Sequence, residues 1–333
     1  MDFLYVIENG VKIGIDGGRI ILKDAEENEI MSVPKNTIKG ISVFGQSQIT
    51  TQCLKFCMYN NVHVSYFSQS GRYIGHVLGT DLCNVRRLKQ QVFLSEDKCF
   101  SQAMAIKIIK AKIRNQLVVA NRYLHSDGIG DSRLPFVMKY YRKKLENVES
   151  ITEIRGYEGM AAREYFKTLS GLVGPEFSFN GRTRRPARDP FNAMLNMGYS
   201  LMTKEIEGEL ENRGIVPYIG FLHEDHEHHP ALASDMAEEW RAVIVDSLVM
   251  GMIRGHEISL ADFEYNNDVC LFTKKGLRLF LKKYEKRLYT ESRYLETVKK
   301  PLNFRQAIWH QAEAMAQAID TADISRYMPI NIR

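Results

Sequence analysis

The chain has 333 residues, 44% of them hydrophobic and 26% charged, which is enough apolar material for sizeable cores and excludes global disorder. No run approaches the ~20 apolar residues of a membrane span, since the stretch 242–253 is interrupted by Asp246. The net charge is +5 and unevenly spread: residues 1–80 hold seven bases and seven acids, residues 81–333 hold 38 and 33, so a polyanionic partner is expected on the second part.

The start, MDFLYVIENG, has acids and no basic stretch, so no signal peptide is expected. The five cysteines (Cys53, Cys57, Cys83, Cys99, Cys270) form no CxxC pair, which argues against a disulfide framework or a zinc ribbon and for a reducing, cytoplasmic setting. In chain order, residues 3–7 and 11–15 are β-rich runs, and Asn9-Gly10 between them predicts a hairpin. Gly17-Gly18 predicts a second turn into 19–23, and short strands follow at 29–33, 38–43, 62–67 and 73–77. Between them Ile49, Cys53, Leu54, Cys57 and Met58 recur at helical spacing within 47–58.

From about residue 103 the period is helical. Helices are predicted over 107–119, 135–145, 152–169, 189–213, 231–254, 274–289 and 304–318, with a loop by composition at 125–130. The expected fold is a multi-domain α and β protein. A small N-terminal β-sandwich-like domain (1–80) is followed by a linker (81–95) and a larger all-α domain (96–333).

Three segments of the helical part carry candidate chemistry. In Gly156-Tyr157-Glu158-Gly159 the small residues Gly159, Ala161 and Ala162 allow close helix approach, so Glu158 could face inward; the alternative is a solvated glutamate near a helix start. In 220–229, His223 follows an apolar lead-in, while His226, His228 and His229 read as a solvated polar loop before Pro230; the spacing is not HExxH, so a helical zinc site is unsupported. In 235–241, Asp235 and Glu238 stand one turn apart and need a cation or Arg241 to offset their repulsion, unless they form an exposed acidic face.

Residues 223–239 hold six acids and no base, yet Arg182, Arg184, Arg185 and Arg188 lie upstream, and Lys275, Arg278, Lys282 and Lys286 form a basic stripe downstream. An acidic spot in basic surroundings suits an enzyme that grips phosphates and holds a divalent cation at the scissile one. Carboxylates with one imidazole and no cysteine point to Mg²⁺ or Mn²⁺.

Three motifs, G-x-E-G (here 156–159), R-R-P-x-x-D-P-x-N-A (184–193) and G-F-L-H followed by D-x-x-E-E-W-R (220–223, 235–241), occur in the order and two-domain layout of a known family. Over its whole length the chain resembles the universal CRISPR-associated integrase/endonuclease, the larger protein of the spacer-adaptation module. The resemblance implies that Glu158, His223 and Glu238 are catalytic and bind Mg²⁺ or Mn²⁺, with Asp235 behind them. It implies insertion of prespacer DNA into a CRISPR repeat by 3′-hydroxyl attack on a phosphodiester. It also implies a homodimer through the β domains and a small ferredoxin-like second adaptation protein as partner. Arg184, Arg185 and Arg188, with Lys282 and Lys286, are nominated to bind phosphates of double-stranded DNA; a solvated helix face is the alternative for the two lysines. Competing readings are a stand-alone structure-selective repair nuclease with the same metal site, and a non-catalytic DNA-binding scaffold.

Overall fold

A computed structural model describes residues 3–77, 79, 84–129, 133–183, 186–224, 226–295 and 298–332. The chain divides into two compact units: Met1–Leu82 with Phe272–Leu281, and Cys83–Leu271 with Lys282–Arg333.

The first unit is built on β1 (Phe3–Val6), β2 (Lys12–Asp16), β3 (Arg19–Lys23), β4 (Glu29–Pro34), β5 (Gly40–Phe44), β6 (Gln48–Ile49), α1 (Thr51–Tyr59), β7 (His63–Phe67) and β8 (Tyr73–Val77). They form two four-stranded sheets, ordered β1-β5-β7-β8 and β4-β3-β2-β6. Leu4, Ile41, Val43 and Val64 of the first sheet share one core with Ile13, Ile20 and Leu22 of the second and with Cys53 and Cys57 of α1. Both cysteines thus serve as small buried apolar residues.

Gly17 and Gly18 take φ of 51° and 82° and close the expected β2–β3 hairpin. The hairpin expected at Asn9-Gly10 does not form. β1 pairs in parallel with the fully buried β5, whereas β2 lies in the other sheet. Gly10, at φ 79°, donates to the Gln46 carbonyl at 2.6 Å, and the Asn9 side chain accepts from the Gln46 amide at 2.9 Å. The turn chemistry is as read, but it carries the chain between sheets. The helix expected over 47–58 starts late, because Gln48 and Ile49 pair with β2 before Thr50 caps α1.

The second unit contains α2 (Val85–Glu96), α3 (Lys98–Ser126), α4 (Leu134–Lys144), α5 (Ile151–Gly171), α6 (Pro190–Glu211), α7 (Ala231–Trp240), α8 (Ser247–Arg254), the strands β9 (Phe263–Asn266) and β10 (Val269–Phe272), α9 (Lys274–Leu288, which crosses between the units) and α10 (Phe304–Thr321). α2 occupies most of the stretch 81–95 and buries Gln91 and Leu94. The 29-residue α3 runs through the middle and packs against α4, α5 and α7. Caps come from the residues that the sequence places there: Asp97 before α3, Ser150 before α5, Asp189 before α6 and an Asn303/Gln306 capping box on α10. The stretch 231–254 is one helical run, but a π-helical turn, Arg241–Asp246, separates α7 from α8. Every residue of α7 is buried, so it is the core helix of the unit. The β9–β10 hairpin was not expected in this part; its turn residues Asn267 and Asp268 take φ of 48° and 63°. No helix among the described residues is long and apolar enough to cross a membrane.

Arg305 of α10 holds two other elements together. Its guanidinium donates to Glu205 of α6 at 2.8 and 3.1 Å and to Glu285 of α9 at 2.7 Å twice. Arg305→Leu strands two poorly exposed carboxylates, and the expected cost is ~3–5 kcal/mol in urea unfolding; a loss below ~1 kcal/mol would mean that the network behaves as a surface ion pair.

Candidate metal centre

α5 supplies Glu158. Its buried positions Ile154, Ala161, Tyr165 and Leu169 recur at helical spacing, and Glu158 falls on the same stripe, which turns it inward. The small residues divide between two faces. Ala161 is fully buried, but Gly156 and Gly159 are exposed and a side chain at either would meet nothing within 4 Å among the described residues, so the glycines serve no helix packing there.

The loop 220–224 supplies His223, and Asp235 holds that loop. Its Oδ2 accepts from the amides of Phe221 and Leu222 at 2.7 and 3.0 Å, and its Oδ1 accepts from the His223 amide at 3.0 Å. The same Oδ1 lies 2.6 Å from His223 Nδ1. This fixes the ring and turns Nε2 away from Asp235, 3.9 Å from Glu238 Oε1. Gly220 is required here: a Cβ would come within 2.9 Å of Ala231 Cβ and of Asp235 Oδ2. From the other side Arg155 donates to the Leu222 carbonyl at 3.0 and 2.6 Å and pairs with Glu224. His226 and His228 are exposed, as expected of a polar loop, whereas His229 is half-buried with its ring 5.7 Å from that of His223.

α7 supplies Glu238, whose side chain is 4% exposed. Arg241 pairs with its Oε1 at 2.6 Å and Lys112 of α3 with its Oε2 at 2.5 Å. Lys112 also pairs with Glu158 Oε1. Burial opposes ionisation of Glu238, but Arg241, Lys112 and His223 outweigh it and hold the carboxyl down at about 2. Burial likewise opposes the charge on Lys112, and Glu158 and Glu238 raise its pKa above the ordinary lysine value. Arg241 therefore neutralises Glu238, while Asp235 is satisfied by backbone amides and His223.

Glu158, His223 and Glu238 are thus brought to one place, with Asp235 behind the histidine. Their donor set, two carboxylates and one imidazole with its other nitrogen anchored on a carboxylate, fits a hard divalent cation. Sequence reasoning missed Lys112, Arg155 and the groups beneath the site. There Tyr165 and Tyr199 both donate to the buried Asp246, and Arg182 and Arg241 lie over the Tyr199 ring at 5.2 and 5.1 Å. The Asp-Pro-x-Asn segment ties the arginine loop to α6: Asn192 donates to Asp189 at 2.7 Å and to the Gly181 carbonyl at 3.0 Å, and Arg182 donates to Asn192 and Asn196. Arg188, Lys282 and Lys286 are exposed, while Arg184 and Arg185 lie outside the described residues.

The sequence model of the family described as CRISPR associated protein Cas1 matches residues 4–286. The chain belongs to the Cas1 family. A Cas1 relative from Mycobacterium tuberculosis strain H37Rv, named CRISPR-associated endonuclease Cas1, is 31% identical over 331 residues, covering 99% of this chain and 97% of the relative. Among solved structures, a casposase bound to integration product is 25% identical with a TM-score of 0.84, covering 100% of this chain and 96% of its own. A chain of a Cas6-RT-Cas1–Cas2 complex shares the fold, at 22% identity and a TM-score of 0.83; the match covers 98% of this chain but only 36% of that longer one.

Asp235→Asn leaves at least one buried amide facing an NH₂ group. The expected loss is ~1–3 kcal/mol of stability, together with a His223 ring no longer locked in one tautomer by NMR of the imidazole nitrogens. An unchanged tautomer would refute the positioning role.

Proposed function

We propose that this Cas1-family chain is a divalent-metal-dependent DNA endonuclease and integrase that inserts prespacer DNA into a CRISPR repeat. The observation that carries the reading is the convergence of Glu158, Glu238 and the free edge of His223 in one partly buried place, with Asp235 fixing the imidazole. The M. tuberculosis relative, an endonuclease by name, supports cleavage, and the casposase bound to integration product supports joining.

In this reading Glu158, His223 and Glu238 hold Mg²⁺ or Mn²⁺, which when bound supplies Lewis-acid stabilisation of charge on the phosphoryl oxygens. The chain's own groups do the rest. Asp235 keeps His223 Nδ1 occupied, so that Nε2 is the donor atom. Arg241, held between Glu238 and the Tyr199 ring, adds a fixed positive charge beside the scissile phosphate. Attack by a DNA 3′-hydroxyl forms the new P–O bond and releases the repeat's own 3′-oxygen as a hydroxyl; water in place of the hydroxyl gives cleavage.

The helical unit is the catalytic part. The β unit forms the homodimer, and a small ferredoxin-like second adaptation protein completes the assembly, consistent with the Cas1–Cas2 pairing in the complex that holds the longer structural neighbour. Double-stranded DNA is gripped through phosphates by Arg184, Arg185 and Arg188, with Lys282 and Lys286.

The test is strand transfer from a short duplex with free 3′-hydroxyls into a supercoiled repeat plasmid, with Mn²⁺ or EDTA and with or without the small partner. Joined products should require metal and disappear in Glu158→Ala, His223→Ala and Glu238→Ala proteins that retain their circular dichroism; joining retained by Glu238→Ala would sink the site assignment. Cleavage without joining would move the assignment to a repair nuclease. DNA binding should weaken with salt, and removing one phosphate contact, as in Lys282→Ala or Arg188→Ala, should lower the log–log salt slope by ~0.9; an unchanged slope would remove that residue from the interface.

A further inference from the structure

Lys112 is the charged group at the centre that the proposed reaction does not use. It projects from the middle of α3 with a side chain 6% exposed, and its ammonium touches Glu158 Oε1 while lying 2.5 Å from Glu238 Oε2. A buried and a partly buried carboxylate so close repel strongly unless a cation stands between them. Here the cation is an ammonium, in the position where the proposed reading puts a metal.

Ligands of one Mg²⁺ or Mn²⁺, bonded at about 2.1 Å, stand at most about 4.2 Å apart. Among the described residues, Glu158, His223 and Glu238 do not present three donor atoms all within 4.8 Å of one another. Glu158 Oε1 and Glu238 Oε2 both contact the one ammonium, so the set falls short at its third donor, the His223 ring, which reaches only the other oxygen of Glu238. Arg241, the other cation on Glu238, is of a different kind. Its planar guanidinium is fixed at Oε1 and stacked on Tyr199, whereas a lysine ammonium rides on a flexible four-carbon stem and can retreat.

We propose that Lys112 is a place-holder for the metal: its ammonium is the counter-charge between Glu158 and Glu238 in the metal-free protein, and it withdraws when a divalent cation takes the same two carboxylates. This inference rests on the metal-site reading given above. It makes Lys112 a positioning residue, which keeps both ligands facing each other so that the cation enters a formed site. The exchange breaks no covalent bond.

The experiment uses the full chain, stripped with EDTA, in calorimetric titration with Mn²⁺ and in thermal unfolding with and without Mn²⁺. Lys112→Met should lower the Tm of the metal-free protein by several degrees. It should bind Mn²⁺ about tenfold tighter or more, since no cation then has to be displaced, and saturating Mn²⁺ should recover most of the lost Tm. A lysine of purely structural value predicts the same Tm deficit with and without metal and an unchanged Kd, and that result would overturn the proposal.

Lys112→Met is then compared with Glu158→Gln and the double variant as a thermodynamic cycle in the metal-free state. The double variant should be more stable than Lys112→Met alone, because one stranded carboxylate has been neutralised; additive losses would refute the counter-charge role, and if Lys112→Met does not fold, a double variant that also fails to fold would refute it. Failure of wild-type protein to bind Mn²⁺ removes the metal reading and this proposal together. Wild-type binding that depends on Glu238 but is untouched by Lys112→Met removes this proposal alone.

Discussion

Four carboxylates buried along one helical run, Asp235, Glu238, Glu239 and Asp246, set the constraint on which the second unit depends. Each would cost several kcal/mol if left unpaired, and each is satisfied by a different chemistry. Asp235 takes three backbone amides and an imidazole. Glu238 takes two side-chain cations. Glu239 accepts from the Tyr327 hydroxyl, the Gln311 amide and the Ile330 backbone, each at 2.8 Å. Asp246 accepts from two tyrosines. The outcomes differ accordingly: burial raises Glu239 to about 7 against its neutral donors, whereas the cations around its neighbour Glu238 hold that group at about 2. Adjacent residues of one helix thus face opposite environments, one of neutral donors and one of cations.

That division explains how α7 is held. On the Glu239 side the chain end is strapped to the helix: Asn115 donates to the carbonyls of Glu239 and Ile330 at 3.1 and 3.2 Å and accepts from the Ile332 amide at 3.2 Å, while Lys107 donates to the carbonyls of Ile324 and Tyr327. On the Glu238 side the helix faces α3, α5 and the His223 loop. Asn115 and Lys112 lie one turn apart on α3, so one helix both anchors the strap and reaches the centre. Those hydrogen bonds fix the helix that carries Glu238.

Much of this was legible in the sequence, and the failures have physical reasons. Turn residues marked where the chain bends, but at Asn9-Gly10 they did not say which strand would be the partner, because parallel pairing with the buried β5 decided it. The Asn267-Asp268 turn carried a hairpin signal that the surrounding helical pattern hid. Glu158, His223, Asp235 and Glu238 stand out as residue types in motifs, but the spacing left a solvated Glu158 open, and it is the resemblance to a family that names Glu158, His223 and Glu238 as a set. Lys112 could not be found that way. It sits in an ordinary basic-apolar stretch 46 residues before Glu158, and only the packing of α3 against α5 and α7 gives it a partner. Arg155 carries its meaning through a carbonyl 67 residues away.

Charge balance gives the arrangement its direction. Without metal, the negative Glu158 and Glu238 are matched by Lys112 and Arg241, so the centre is close to neutral and stable as folded. On the proposed reading a divalent cation bound to the same carboxylates leaves Arg241 in place and Lys112 nearby, and the centre, with Asp235 counted, becomes net positive. A phosphodiester brings one negative charge to it, and the pentacoordinate transition state of phosphoryl transfer concentrates more on its oxygens. A centre with surplus positive charge favours the second over the first, and that difference is what lowers a barrier. The exposed Gly156 and Gly159 fit the same account. Each costs about 1 kcal/mol in a helix relative to alanine, and a side chain at either would meet nothing within 4 Å among the described residues; on the proposed reading this exposed face of α5 borders the path of the DNA.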